Sequence, residues 1–99
     1  MFGVQVQIVR LVDDWQPGFV EFQFTDIAAR RWSFIDKVPV VTTESLDGSS
    51  PFPQPGVLAC EFIEQQDEVV TIDTRRPWDV ASLEGETRFK IHSRLVVRD

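Results

Sequence analysis

Apolar and polar residues alternate along most of this chain, and this two-residue period constrains its fold more than any other feature. Successive side chains of a β-strand point to opposite faces, so the alternation predicts strands with one buried face. The clearest runs are residues 4–8 and 20–24, where valine, isoleucine and phenylalanine alternate with glutamine and glutamate. No segment sustains the 3.6-residue period of an amphipathic helix. The sequence therefore predicts an all-β protein.

The alternating runs divide the chain into six or seven short strands. In the first run the apolar register slips near Ile8 and Val9, which predicts either a β-bulge or a strand covered on both faces. Pro39 restricts its run to an edge strand, because proline cannot donate to a ladder. The predicted strands cover residues 4–11, 20–24, 31–34, 37–41, 58–62, 70–73 and 87–97.

Polar segments between these runs supply the turns and loops. Residues 13–18, which end in Pro-Gly, predict a turn, and residues 26–30 predict the turn of a hairpin. Residues 64–68 predict a second hairpin tip, and residues 42–56 predict one long polar loop. Strands with one apolar face must pack face to face or close on themselves. The expected fold is a small antiparallel β-barrel or barrel-like sandwich.

Composition limits the classes of function. A chain of 99 residues that is 42% hydrophobic has the size of one domain, residues 1–99. Its net charge of −6 argues against non-specific binding to nucleic acid or to anionic lipid. No apolar run approaches the roughly 20 residues of a membrane helix, and no secretory signal or pair of cysteines is present. We expect a cytoplasmic protein.

Few side chains suit catalysis or metal binding. A zinc or iron–sulfur site needs several convergent ligands, whereas the chain has one histidine, His92, and one cysteine, Cys60. Cys60 shares the apolar face of its strand with Leu58 and Phe62, which predicts a small buried side chain rather than a nucleophile. His92 and Ser93 would point to opposite faces of a strand, so they cannot form a nucleophile–base pair. The sequence predicts no catalytic residue, no metal site and no cofactor.

Four cationic side chains recur at every second position near the end of the chain, which places them on one strand face. They are Arg88, Lys90, His92 and Arg94. Such a face could hold a carboxylate, a phosphate or an acidic patch on a partner. Alternatively, it pairs with acidic side chains of neighbouring strands, as antiparallel sheets commonly do. The candidates for that pairing are Glu21, Glu61 and Asp73.

A second candidate segment follows the strand that ends near residue 73. It contains Arg75, Arg76 and Trp78, and arginine and tryptophan are the residue types that most often anchor protein interfaces. One interpretation is a recognition loop. The other is that Trp78 plugs one end of the barrel while the arginines are solvated or paired with acids. For Trp15 and Trp32 we expect a position in the core or at a barrel end.

These features favour a non-enzymatic interaction module. The acidic charge suits a basic protein partner through electrostatic steering, and an open sheet edge would also allow self-association as a homodimer. The alternative is a domain that binds a small anionic ligand between a tryptophan-lined barrel mouth and the cationic strand face. A small hydrolase or isomerase that uses carboxylates and His92 is the third hypothesis.

Overall fold

A computed structural model describes residues 1–13 and 18–99, and in these residues the chain forms eight strands and no α-helix. The strands are β1 (Phe2–Asp13), β2 (Phe19–Thr25), β3 (Arg31–Lys37), β4 (Gln54–Ala59), β5 (Glu61–Gln66), β6 (Val69–Asp73), β7 (Arg88–His92) and β8 (Val96–Arg98). Two short 3-10 turns cover Val38–Val40 and Ser93–Leu95. The all-β prediction is confirmed.

Two antiparallel sheets pack against each other. Sheet A has the strand order β3-β2-β1-β4, with β8 also paired to β1, and sheet B has the order β5-β6-β7. Only Cys60 separates β4 from β5, and one 3-10 turn separates β7 from β8, so the chain passes twice between the sheets with little interruption. The sheets do not close into a complete barrel. The expected barrel-like sandwich is the architecture that forms.

Aromatic rings join the two sheets in the core. Phe34 stacks on Phe22 within sheet A, with ring centroids 5.3 Å apart. Sheet B contributes Phe89, whose ring lies edge-on to Phe24 at 5.1 Å, to Trp32 at 5.0 Å and to Phe34 at 5.7 Å. Edge-to-face pairs of this kind add to the free energy of burying the rings. Phe89 thus connects sheet B to three aromatic rings of sheet A, and Trp32 is a core residue.

The hairpin of β2 and β3 is closed by one carboxylate. Asp26 Oδ1 accepts hydrogen bonds from the backbone N–H groups of Ala28 and Arg30, and Oδ2 accepts one from Trp32 Nε1 at 2.9 Å. Burial raises the pKa of Asp26, but these hydrogen bonds and the Arg30 guanidinium together hold it below the ordinary value. The predicted turn over residues 26–30 is confirmed, and Asp26 fixes its shape.

Some predicted strands differ from the observed ones. The bulge in β1 is confirmed by a register shift between Ile8 and Arg10. The strands predicted over 58–62 and 87–97 are each divided, at Cys60 and at Ser93–Leu95. Alternation indicates which side chains face inward but not to which sheet they belong. The alternating pattern therefore continues through both points where the chain passes from one sheet to the other. Division of these runs is one reason why eight strands form instead of six or seven.

The edge strand predicted over residues 37–41 was wrong. Val38–Val40 form a 3-10 turn with Pro39 among its first residues. The fixed φ angle of proline suits the start of such a turn, and the N–H that proline lacks is not needed there.

Two loops are shorter than predicted. β4 begins at Gln54, inside the loop expected over residues 42–56, and β5 extends to Gln66, so the second hairpin tip is only Asp67 and Glu68. Most of the turn predicted over residues 13–18, including Trp15, lies outside the described residues.

Candidate functional site

The structure places the seven predicted site residues in three regions. Arg75, Arg76 and Trp78 lie in the loop after β6; Arg88 and Lys90 lie on the outer face of sheet B; His92 and Arg94 lie where the chain crosses to sheet A. The prediction that all four cations share one strand face was wrong for Arg94. β7 ends at His92, and Arg94 belongs to the following 3-10 turn.

On the outer face of sheet B, one row of side chains crosses all three strands. It consists of Glu61, Asp73 and Arg88. Asp73 Oδ2 lies 3.4 Å from a guanidinium nitrogen of Arg88 and 3.4 Å from one of Arg75. Arg88 therefore makes the cross-strand pair that one interpretation expected, whereas Lys90 has no ion pair within residues 1–13 and 18–99.

Asp73 also fixes the start of the loop that follows β6. Its carboxylate is only 4% exposed and accepts a 2.9 Å hydrogen bond from the backbone N–H of Arg75. That hydrogen bond, together with the Arg75 and Arg88 guanidinium groups, holds the pKa of Asp73 below its ordinary value, although burial acts in the opposite direction. The loop thus leaves the sheet at a buried, ionised group.

Further hydrogen bonds define the path of this loop. Thr74 is fully buried, and its Oγ1 donates to the backbone oxygen of Val80 at 2.6 Å. The backbone N–H of Val80 donates in return to the backbone oxygen of Thr74. Asp79 N–H donates to the Arg75 oxygen at 2.7 Å. Because the two ends of residues 74–80 are joined in this way, the residues between them are held as a compact projection.

The projection exposes its tryptophan. Trp78 is 57% exposed and lies beside Pro39 and Val40 of the 3-10 turn. An adjoining groove of about 670 Å³ also contains Val57 and Ala59 of β4, and none of the described side chains that line it is charged. We call this surface the Trp78 groove. At this exposure Trp78 does not plug an end of the sandwich.

A second cavity of about 740 Å³ lies on the other side of β1. His92 and Arg94 line it, together with Arg31 and Asp26 of the β2–β3 hairpin. Trp78 is not among its lining residues. Trp78 and the cations His92 and Arg94 therefore line two different cavities, which meet at Gln5, Val6 and Gln7 of β1, rather than one barrel mouth.

Strand β5 forms one edge of sheet B, and it carries uncompensated negative charge. Glu61 and Glu64 on this strand, and Asp67 and Glu68 in the adjacent turn, are exposed and have no ion pair in the described part of the chain. A second copy pairing with this edge would bring like charges together, which disfavours self-association here.

Cys60 is buried, as predicted, and is a free thiol. Burial, and to a smaller extent the negative charge of Asp73, raises the pKa of the Cys60 thiol to about 12. Because the thiolate is the reacting form, we expect iodoacetamide at pH 8 to alkylate the native protein at least roughly 100-fold more slowly than the urea-unfolded protein. Mass spectrometry of quenched time points measures both rates. Equal rates would contradict the burial and the raised pKa.

Sequence reasoning missed Arg31 and Asp26 as site residues. Asp26 precedes a turn, a position typical of side chains that hydrogen-bond to the backbone, so its turn-closing role could have been recognised. Arg31 carries no such signal, because its position in a cavity depends on strands that are distant in the sequence.

Nothing in residues 1–13 or 18–99 forms a group of histidine, cysteine and carboxylate side chains suited to holding a metal ion. The described residues also contain no helix with the length and hydropathy needed to cross a membrane. No protein-family model, no curated protein and no solved structure matches this chain.

Proposed function

We propose that this protein is a non-enzymatic interaction module that binds a basic protein partner through the Trp78 groove. The observation that carries the proposal is the 57% exposure of Trp78 on a loop whose base is fixed by the buried Thr74 and Asp73. A surface tryptophan held in one place loses little conformational entropy when a partner covers it.

The energetic gain from covering Trp78 is large for one residue. The exposed part of the indole corresponds to about 2–3 kcal/mol of burial free energy at roughly 25 cal/mol per Å². Pro39, Val40 and Val57 supply an uncharged floor, and Arg75 and Arg76, in the same loop as Trp78, are exposed and can hydrogen-bond to a partner. A central aromatic anchor with a polar rim is the usual anatomy of a protein interface.

Net charge favours a basic partner over a second copy. Each copy carries a charge of −6, so two copies repel each other at long range, whereas a basic protein is attracted. Self-association as a homodimer is the alternative outcome. The acidic edge formed by β5 adds to the repulsion between copies.

Two carboxylates bear on the enzyme hypothesis. Asp26 and Asp73 both have a pKa below the ordinary value, and both bind groups that hold the fold together. A general acid needs a raised pKa, so these shifts have the wrong direction for that role. They support a structural use of both side chains.

The test places a photoreactive benzoylphenylalanine at Thr43, an exposed residue that lines the groove, in the cells that make the protein. We expect a cross-link to one basic protein, and we expect Trp78→Ala to weaken binding of that protein by roughly 30-fold, which corresponds to about 2 kcal/mol. The melting temperature should not change, because Trp78 is outside the core.

Leu83→Ala is the matched control, because Leu83 is 61% exposed but does not line the groove. It should leave the cross-link unchanged. Equal effects of the two substitutions, or a loss of folding with Trp78→Ala, would contradict the proposal. Light scattering over a concentration series distinguishes the homodimer, since a mass that doubles only when Trp78 is present would identify a second copy as the partner.

A further inference from the structure

The larger cavity arises from a gap in strand pairing along one edge of β1. Val4 pairs with β4 on one side and with β8 on the other, whereas Ile8 pairs with β4 and with β2. β8 and β2 therefore lie end to end along the same edge of β1. Gln5 and Val6 pair with β4 only, and no described strand covers their other side. The cleft of about 740 Å³ opens at this gap.

Hydrogen bonds hold both walls of the cleft. One wall is the β2–β3 hairpin turn, which the Asp26 carboxylate closes. The other is the 3-10 turn at Ser93–Leu95, where the backbone N–H of Ser93 donates to the backbone oxygen of Glu68 at 2.8 Å. Ile27 N–H donates to the Lys90 oxygen at 2.8 Å, which joins the hairpin to β7 just before this turn. These hydrogen bonds fix the positions of both walls, and binding sites are usually largely pre-formed in this way.

The charge of the lining is positive on a chain that is acidic overall. Arg31 and Arg94 are exposed, and neither has a carboxylate partner in the part of the chain that the structure describes. Arg30, the neighbour of Arg31, is in contrast paired with Glu84. Among the described residues Asp26 is the only acidic one in the lining, and both of its oxygens already accept hydrogen bonds.

The neutral polar groups of the lining are also suited to donate. His92 Nδ1 accepts a 3.0 Å hydrogen bond from the backbone N–H of Arg94, which places the proton of the neutral ring on Nε2. Within the described residues Nε2 has no partner, so it remains available as a donor. The side chains of Gln5 and Gln7 are exposed in the same lining and can donate through their amide groups. Guanidinium, imidazole and amide donors together match the oxygens of carboxylates and phosphates.

We propose that this cleft is a binding site for a small molecule with two or more anionic groups, carboxylate or phosphate, and that Arg31 and Arg94 anchor it. Two separate guanidinium groups suit a ligand with two separate charges. The site adjoins the Trp78 groove, with which it shares Gln5, Val6 and Gln7, but neither Arg31 nor Arg94 lines that groove, so the anchoring groups do not depend on the proposed protein partner.

The test titrates the whole protein with citrate and with pyrophosphate at constant ionic strength, followed by two-dimensional NMR of the backbone amides. We expect saturable shifts confined to residues 5–7, 25–31 and 92–95. Arg31→Gln and Arg94→Gln should each weaken binding by about tenfold, and the double variant should remove it at about 10 mM ligand. Preference for citrate or for pyrophosphate identifies a carboxylate or a phosphate ligand.

Arg76→Gln is the matched control, because Arg76 is exposed and lies outside the cleft. It should leave both affinities unchanged, as should Trp78→Ala, which keeps this test independent of the groove. Failure of both ligands to produce saturable shifts would overturn the proposal. Equal weakening by Arg76→Gln would do the same, because it would indicate non-specific attraction to surface cations.

Discussion

Phe89→Ala is expected to lower the free energy of unfolding by about 3–5 kcal/mol. Phe89 is 4% exposed and contacts the aromatic rings of Phe24, Trp32 and Phe34 across the two sheets. Its removal leaves a cavity where the ring of sheet B packs against these three rings of sheet A. Because domains of this size are stable by roughly 5–15 kcal/mol, this loss is a large fraction of the total stability.

Urea denaturation followed by circular dichroism measures this change. Phe89→Leu fills most of the same volume and should lose less than about 1.5 kcal/mol. Phe62→Ala provides a control of the same chemistry, because Phe62 also belongs to sheet B but is 42% exposed. It should lose much less stability than Phe89→Ala. Similar losses for the two alanine variants would contradict the role of Phe89 in joining the sheets.

Asp26→Ala should produce the second largest loss of stability, about 2–3 kcal/mol. It removes an ionised acceptor from the backbone N–H groups of Ala28 and Arg30 and from Trp32 Nε1, and hydrogen bonds to charged groups contribute about 1.5–3 kcal/mol each where they are well shielded. We expect the total for all three to stay within the range given for a single bond, because Asp26 is partly exposed. The indole N–H resonance of Trp32 should shift in the variant and report the broken contact.

Asp26→Asn is expected to fall between wild type and Asp26→Ala. Its amide oxygen can still accept from the backbone of the turn, but its amide nitrogen is a donor and cannot accept from Trp32 Nε1. If Asp26→Asn and Asp26→Ala lost the same stability, the turn hydrogen bonds would contribute nothing, and the proposed role of Asp26 in closing the hairpin would be wrong.

The lowered pKa of Asp26 makes its contribution dependent on pH. The ionised carboxylate stabilises the fold fully above its unfolded pKa of about 3.9, and this stabilisation is lost as the pH falls through the lower folded value. The stability difference between wild type and Asp26→Asn should therefore shrink below about pH 4. A difference that stays constant from neutral pH to strongly acidic pH would contradict the lowered pKa. Asp73 should leave a residual acid dependence in the variant, because its pKa is also lowered.

Local patterns in the sequence predicted most of the strands and several single residues. Alternation located β2 and β6 almost residue for residue, since both strands have one side facing the core throughout. The burial of Cys60 followed from its apolar neighbours at positions 58 and 62. These predictions succeed because each depends only on residues that are close in the sequence.

The candidate surfaces were predictable only in part. Residue type alone identified Trp78 and the two arginines of its loop. Their exposure, however, depends on the hydrogen bonds of Thr74 and Asp73, which no local sequence pattern predicts. The strand face with four cationic side chains was predicted to extend too far, to Arg94, because the sequence gives no sign that β7 stops at His92.

The alternation of apolar and polar residues determined by itself that this protein is built from antiparallel strands with one buried side, because side-chain direction follows from local backbone geometry. Only the tertiary structure decided which strands meet. The cleft opens where pairing of β1 with β8 ends and its pairing with β2 has not yet begun. The groove forms where the Trp78 loop meets the turn at Pro39. Both depend on residues far apart in the sequence, whose approach is settled by packing of the whole core rather than by any local preference.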